Sequence, residues 1–493
     1  MQCSKSEEEQ NERPPEYSEI RQASQIRVPE EALKEFEALK EKYPNSTMMN
    51  QIDNNIVRIK VNMSTSLEEI TEIQKDLISK TEGSALLNLY STYSRQILNH
   101  SEADNFNDSK VIQAITEYAD AGKKLAKNEK FLESLSERNR SRIARSVAAF
   151  DITLATAYSD MNNGAKTAEH LDIYINRGGS PSGQYHFLRG RSNELLGKKQ
   201  EALESYMDAV VERHRGSARE KAEELYKAVN GSLSGFEGVL EKKLTSLPFH
   251  PKHFSPTDWE EKTVVAELFT GSECPPCVAA DFGFDGLLDA YESKFLVVLE
   301  YHLPIPDPDP IMNPASKLRQ DYYGVRYTPT AIIDGKSKFV GGSGRSGSEN
   351  KFNQYSESIN EFIIQKSEAV LKADAKLSGD NVTVIWETTK DISTADYNFA
   401  LIQNEEKYAG SNGIIIHKMV VRDFKTTTDK NVVFNLSDIE KATEKYLQDF
   451  EKERDSKFDK YHNKIDRSQL KVVFFMQDKE TQEMINAVVT DVK

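Results

Sequence analysis

Residues 267–288 read ELFTGSECPPCVAADFGFDGLL. An apolar strand pattern ends at Thr270, a short polar turn follows, and two cysteines three apart flank Pro275 and Pro276 before an apolar helix pattern begins. Cys274 therefore falls at the start of a helix. The two prolines take its first positions, where the missing N–H groups would be unpaired anyway. A helix N-terminus stabilises an anion by about 0.3–1 kcal/mol, and the thiolate is the form of cysteine that attacks a disulfide. Cys274 is thus placed to attack and Cys277, one turn on, to resolve.

Other chemistries compete for the pair. A structural zinc site needs a full tetrahedral ligand set. The chain has three cysteines in all, and His250, His253 and His302 show no ligand spacing. A copper-handling site made of both thiolates and His302 is a further alternative, as is a purely structural disulfide. Exposure separates the last from a redox couple: a reactive pair needs one accessible sulfur, whereas a staple can be buried.

The flanking periodicities define an α/β segment over residues 259–370. KTVVAELFT and KFLVVLEYH read as strands, and TPTAIIDGKSKFVGG as two strands around an Asp-Gly turn. Helical patterns separate them. In this setting GVRYTPTAIID places Pro329 immediately before an apolar strand, well downstream of the cysteines. The segment here resembles the thioredoxin superfamily, which carries a C-x-x-C at the start of its first core helix and a cis-proline facing it. The resemblance implies that Thr328 and Pro329 form a wall that holds the partner chain. It also implies that Glu267 serves as a buried proton acceptor for the second thiol, although the spacing is one residue longer than usual. Glu273 replaces the usual tryptophan, and a carboxylate beside a thiolate opposes its ionisation. ELFTGSECPPCVAAD, EYHLPIPDPDPIMNP and YYGVRYTPTAII, with NEEKYAGSNGIIIHKMVVRDF and LKVVFFMQDKETQEMINAVV, are similar to a group of long, usually exported bacterial thioredoxin-like proteins with a β-rich C-terminal domain. No cofactor is implied.

Upstream, residues 29–245 are read as helical. PEEALKEFEALKEKY sets Leu33, Phe36, Leu39 and Tyr43 at helical spacing behind Pro29. In YHFLRGRSNELLGKKQEALESYMDAVV, Gly190, Gly197, Ala202, Tyr206 and Ala209 fall at the small and aromatic positions of a tetratricopeptide-like repeat. Ala155 and Tyr158 lie close to the roughly 34-residue period upstream, and Arg189 stands where leucine is usual. The repeat groove is expected to take a peptide or protein. Residues 246–258 form a proline-rich linker around Pro248, Pro251 and Pro256.

Residues 371–493 alternate as short strands and predict a β-sandwich. One helix interrupts it, with Ser437 and Glu440 as a capping box. His417 lies in a strand and reads as a packed residue. Asp307 and Asp309, in a four-proline loop, are a poor calcium site, and that loop reads as a stiff wall beside the active site. The fold class is thus multidomain: an all-α repeat domain, an α/β thioredoxin fold and a mainly-β sandwich.

Residues 1–28 are acidic, poor in large apolar side chains and read as a flexible tether. Cys3 before that tether resembles the lipid-bearing end of a bacterial lipoprotein, which implies an extracytoplasmic place in the cell envelope. The net charge of -15 argues against nucleic-acid binding. The function expected is thiol–disulfide exchange with a protein partner. The alternative is an envelope binding or scaffold protein with a structural disulfide.

Overall fold

The computed structural model describes residues 14, 16–104, 108–255 and 259–493. The chain forms two compact units, 1–206 and 207–493. Cys3 and Pro256 lie outside the described residues.

The described part of the first unit is helical: α1 (Glu16–Ala23), α2 (Pro29–Lys42), α3 (Met49–Met63), α4 (Leu67–Ser79), α5 (Gly83–Asp104), α6 (Asp108–Leu125), α7 (Glu129–Glu133), α8 (Glu137–Asp160), α9 (Gly164–Asn176) and α10 (Gly183–Leu195). The next helix, α11 (Lys199–Val211), contains the boundary between the units. The segment read as a tether is folded from residue 16, because α1 buries Ile20 and Ala23 beside Phe36 and Leu39 of α2. Those few apolar residues, spaced for one helix face, outweigh the acidic composition. The repeat-like positions pack as their sizes require. Ala155 and Ala202 are fully buried, and a Cβ on Gly190 would sit 2.7 Å from the Tyr206 ring. Glycine at 190 is what lets the ring lie against α10.

The second unit begins with α12 (Ala218–Asn230) and α13 (Phe236–Thr245). Arg345 ties the end of α13 down by donating to the carbonyls of Lys243 and Leu244, both at 3.0 Å, and of Ser246. The linker that follows is docked: Phe249 is buried against Phe352.

The α/β segment holds β1 (Val264–Thr270), a 3-10 turn (Pro275–Cys277), α14 (Val278–Ala290), β2 (Leu296–His302), α15 (Pro314–Tyr323), β3 (Thr330–Ile333), β4 (Ser337–Val340) and α16 (Ser348–Ile363). β1 pairs in parallel with β2 and antiparallel with β3, and β3 forms a hairpin with β4 through Asp334 and Gly335. Next come β5 (Leu371–Ser378), β6 (Asn381–Thr388), β7 (Ala395–Lys407), β8 (Ile416–Thr426), β9 (Asn431–Asn435), α17 (Leu436–Arg454), β10 (Leu470–Asp478) and β11 (Met484–Asp491).

The strand-rich C-terminus does place two sheets face to face. The three-stranded sheet β5-β6-β9 packs Val382, Val384, Trp386 and Phe434 onto Phe399, Leu401, Val472 and Phe474. The larger sheet is not separate, however. It runs β11-β10-β7-β8-β2-β1-β3-β4, so the C-terminal strands extend the α/β sheet. The join is one parallel bridge, Glu300 to Val420. The helix α17 is capped by Asn435, whose side chain accepts from Asp438 N, and not by Ser437, which hydrogen-bonds Asp380. Asparagine is as good an N-cap as serine, and Glu440 turns away to accept from Ile465 N.

Candidate functional site around Cys274 and Cys277

The sheet leaves β1 at Thr270, and the chain turns through 271–273 before Cys274 N-caps the 3-10 turn that leads into α14. Cys277 N donates to Cys274 O at 2.9 Å. The two cysteines form a disulfide with a Cα–Cα separation of 5.3 Å. Facing it, the Thr328–Pro329 peptide bond is cis, and Thr328 Oγ1 lies 3.4 Å from Cys274 Sγ. The same hydroxyl lies 2.6 Å from Ile305 O. A hydroxyl has one proton, and the shorter contact takes it. The oxygen's lone pairs therefore face the sulfur and can accept from a Cys274 thiol. Beside Thr328, Tyr327 projects into solvent at 66% exposure.

Cys274 does not reach solvent. Both cysteines are 0% exposed, contrary to the expectation for a freely reactive thiol. The loop between β7 and β8 lies on the turn just before Cys274, a placement that carries no mark in the sequence. Asn412 donates from its side chain to Gly271 O at 3.1 Å and from its backbone to Ser272 O at 3.0 Å. Tyr408 Oη and Ser411 N donate to the two oxygens of Glu273 at 2.9 and 3.0 Å. Gly410 comes so close that a Cβ there would stand 2.3 Å from Ser272 O. Glu273 is thus an anchor for this loop. On the other side, Pro275 and Pro276 line a cavity of about 330 Å³ that also holds Glu212, Phe282 and Arg345. Burial pushes the Glu212 carboxyl up to about 7, and the Arg345 charge partly offsets it.

Beneath the disulfide lies a buried acidic group. Asp281, one turn along α14 from Cys277, accepts from Thr270 Oγ1 at 2.7 Å. Its other oxygen has no partner, nor has Glu300 Oε1 on β2. Burial raises Asp281 to about 7. Burial and then the Asp281 charge raise Glu300 well above the ordinary range. Asp285, one turn further, is raised to about 6 by burial despite Lys418 at 3.3 Å. These acids have a sequence signal, since Asp281 and Asp285 stand one turn apart in an otherwise largely apolar helix and Glu300 interrupts an apolar strand.

Glu267 is not brought to the cysteines. It lies an odd number of residues from Thr270, so it points to the opposite face of β1. There Arg319 holds it at 2.9 and 2.8 Å, with Tyr323 Oη at 2.6 Å. Asp309 plays a structural part. Its Oδ2 accepts from Ser272 N at 2.7 Å and lies 2.8 Å from His302 Nδ1. It thereby fixes the proline-rich loop to the turn before Cys274, while Asp307 is exposed. His302 stacks edge-on against His417, a buried ring lowered to about 3 by desolvation. Among the described residues no group of three or more His, Cys, Asp or Glu is arranged to hold a metal ion. No helix described is long and apolar enough to cross a membrane.

No protein-family model matches the chain, and no curated protein matches it either.

Proposed function

We propose that this chain is a thioredoxin-like thiol–disulfide oxidoreductase of the cell envelope, acting on a protein partner through Cys274 and Cys277. The observation that carries the reading is the placement of the Cys274–Cys277 disulfide at a helix start, with the Thr328 hydroxyl 3.4 Å from Cys274 Sγ. In the reduced protein the Cys274 thiolate attacks a partner disulfide, forms a mixed disulfide and releases one partner thiolate. Cys277 then gives up its proton and attacks Cys274 Sγ. The second partner thiolate leaves and the Cys274–Cys277 bond re-forms. Two electrons pass to the partner, and a dithiol donor restores the reduced state. The same steps in reverse oxidise a partner dithiol. Thr328, Pro329 and the exposed Tyr327 supply the surface on which the partner strand rests. A lipid on Cys3 and a peptide at the helical repeat belong to the same reading.

The full burial of both cysteines favours a second reading, a structural disulfide in a binding protein. One experiment separates them. Cys277→Ser should accumulate mixed disulfides with partner proteins on non-reducing gels, and Cys274→Ser should not. Equal trapping by both variants would overturn the roles. No trapping, with a Cys274 that stays unreactive after reduction, would establish the structural reading.

A further inference from the structure

The cavity of about 330 Å³ beside the cysteine turn has an apolar floor and an open side. The floor is Val278, Phe282 and Ile414, a small buried cluster separate from the core of the sheet. The exposed Pro275 and Pro276 form one wall, and half-buried Leu244, near the end of α13, forms another. The proline wall is the stretch that joins the two cysteines.

Two further features keep this space open and give it a polar end. Gly344 borders the cavity with φ −68° and ψ 178°, an extended backbone that any residue adopts. A Cβ on it would have Glu212 Oε2, at 4.0 Å, as its nearest neighbour. Neither the backbone nor close packing requires glycine there, unlike Gly342, where a Cβ would stand 2.0 Å from Pro276 O. A larger side chain at 344 would grow towards Glu212 and into the cavity. Glu212 is the polar end. It is half-buried, and it forms no ion pair among the described residues. Arg345, whose charge acts on it, is spent on the carbonyls of Lys243, Leu244 and Ser246 and lies over the Phe282 ring at 4.1 Å.

An apolar space with a few convergent polar groups is the usual form of a binding pocket, and this one lies at the small end of the range of about 300–1,000 Å³, a size for one large side chain. A purely aliphatic guest would leave the Glu212 oxygens dry and unpaired, which is costly. A lysine or arginine would meet Arg213 and Arg345, which outnumber Glu212 around the cavity. Tryptophan and tyrosine meet both demands, with a flat apolar body and one N–H or O–H donor. Because Pro275 and Pro276 join the cysteines, a polypeptide whose sulfur meets Cys274 can lay a neighbouring side chain here.

We infer that the cavity anchors a tryptophan or tyrosine side chain of the polypeptide partner, its ring over Phe282 and Ile414 and its donor on Glu212; the inference rests on the thiol-exchange reading for what the partner is. The first measurement leaves the cysteines aside. It is saturation-transfer NMR and calorimetry on the whole chain with N-acetyltryptophanamide at millimolar concentration. This probe should bind. N-acetylphenylalaninamide, which lacks the ring N–H, should bind about fivefold more weakly, and so should N-acetyltryptophanamide to Glu212→Ala. Gly344→Phe, which fills the cavity, should lose binding at an unchanged thermal midpoint, while Gly344→Ala should keep it. The inference is overturned if N-acetyltryptophanamide does not bind, if it binds Gly344→Phe as well as the native chain, or if neither the ring N–H nor Glu212 affects its binding. The second measurement uses reduced Cys277→Ser protein and two peptides whose single cysteine carries thionitrobenzoate in disulfide linkage. One has tryptophan two residues to each side of that cysteine, and the other has alanine there. The Cys274 thiolate attacks the peptide sulfur, the mixed disulfide forms and coloured thionitrobenzoate leaves. The tryptophan peptide should react about tenfold faster, an advantage lost in Gly344→Phe. Equal rates would overturn the inference. Reaction of neither peptide, with N-acetyltryptophanamide still bound, would uphold the aromatic anchor and overturn the exchange reading instead.

Discussion

Asp281 illustrates how one residue couples the site to pH. Burial, only partly offset by the Thr270 hydrogen bond, raises its carboxyl to about 7. The folded state therefore holds this proton more tightly than the unfolded chain does. The stabilisation is fully present below the unfolded value near 3.8 and is lost as pH rises towards 7. Each unit of such a shift corresponds to about 1.4 kcal/mol. The stability of Asp281→Asn relative to the native protein should rise between pH 4 and 7 by about 2 kcal/mol or more, as read from urea unfolding at several pH values. A constant difference would mean that Asp281 is ionised throughout. The cysteines, Thr328 and Pro329 are legible in the sequence because each is marked by local spacing or by a neighbouring strand. The tie between Asp281 and Glu300 is not, since it depends on which helix face meets which strand. Glu267 shows the converse. Its position near the cysteines is plain in the sequence, but strand alternation turns it towards Arg319, which is read only in three dimensions.

At the scale of elements, the decisive feature is the loop from 408 to 415 lying over the turn before Cys274. The local period identifies β7 and β8, the Asp-Gly hairpin and the helix after the cysteines, because these depend on neighbours a few residues away. Nothing in that period says what a connecting loop covers. The loop is held by a small set of hydrogen bonds, of which Asn412 makes three: to Gly271 O, to Ser272 O and, as acceptor, from Ile414 N. Asn412→Ala removes the two made by its side chain. With each net bond worth about 1 kcal/mol, reduction of the disulfide by dithiothreitol should accelerate about fivefold or more. The rate is followed by alkylation of the released thiols. An unchanged rate would show that the loop does not limit access to Cys274.

For the molecule as a whole, the sequence pattern separates an α/β segment from a sandwich at residue 370, and the fold joins them through one sheet. Strand periodicity is the same on both sides of such a join, so the pattern carries no mark of it. A chain of residues 207–370 would leave β2, buried along its whole length, as an open edge, and unpaired apolar edges aggregate. That fragment should elute as large species in size-exclusion chromatography, whereas 207–493 should elute as a single small one; a monodisperse fragment would show that the seam is dispensable. The seam itself has a further consequence. Across it the strand ladder is reduced to the Glu300–Val420 bridge, with isolated backbone bonds such as Asn412 N to Ser272 O and Met484 N to Asp334 O, while Asn313 reaches Val421 O at 2.8 Å, Lys418 meets Asp285, and Arg319 spans Glu267 and Gln477. A ladder of peptide hydrogen bonds is indifferent to which side chains it carries. A joint stitched by side chains can be loosened or tightened one substitution at a time. Evolution can therefore adjust how stiffly the cysteine loop and the 408–415 loop move together while leaving both folds intact.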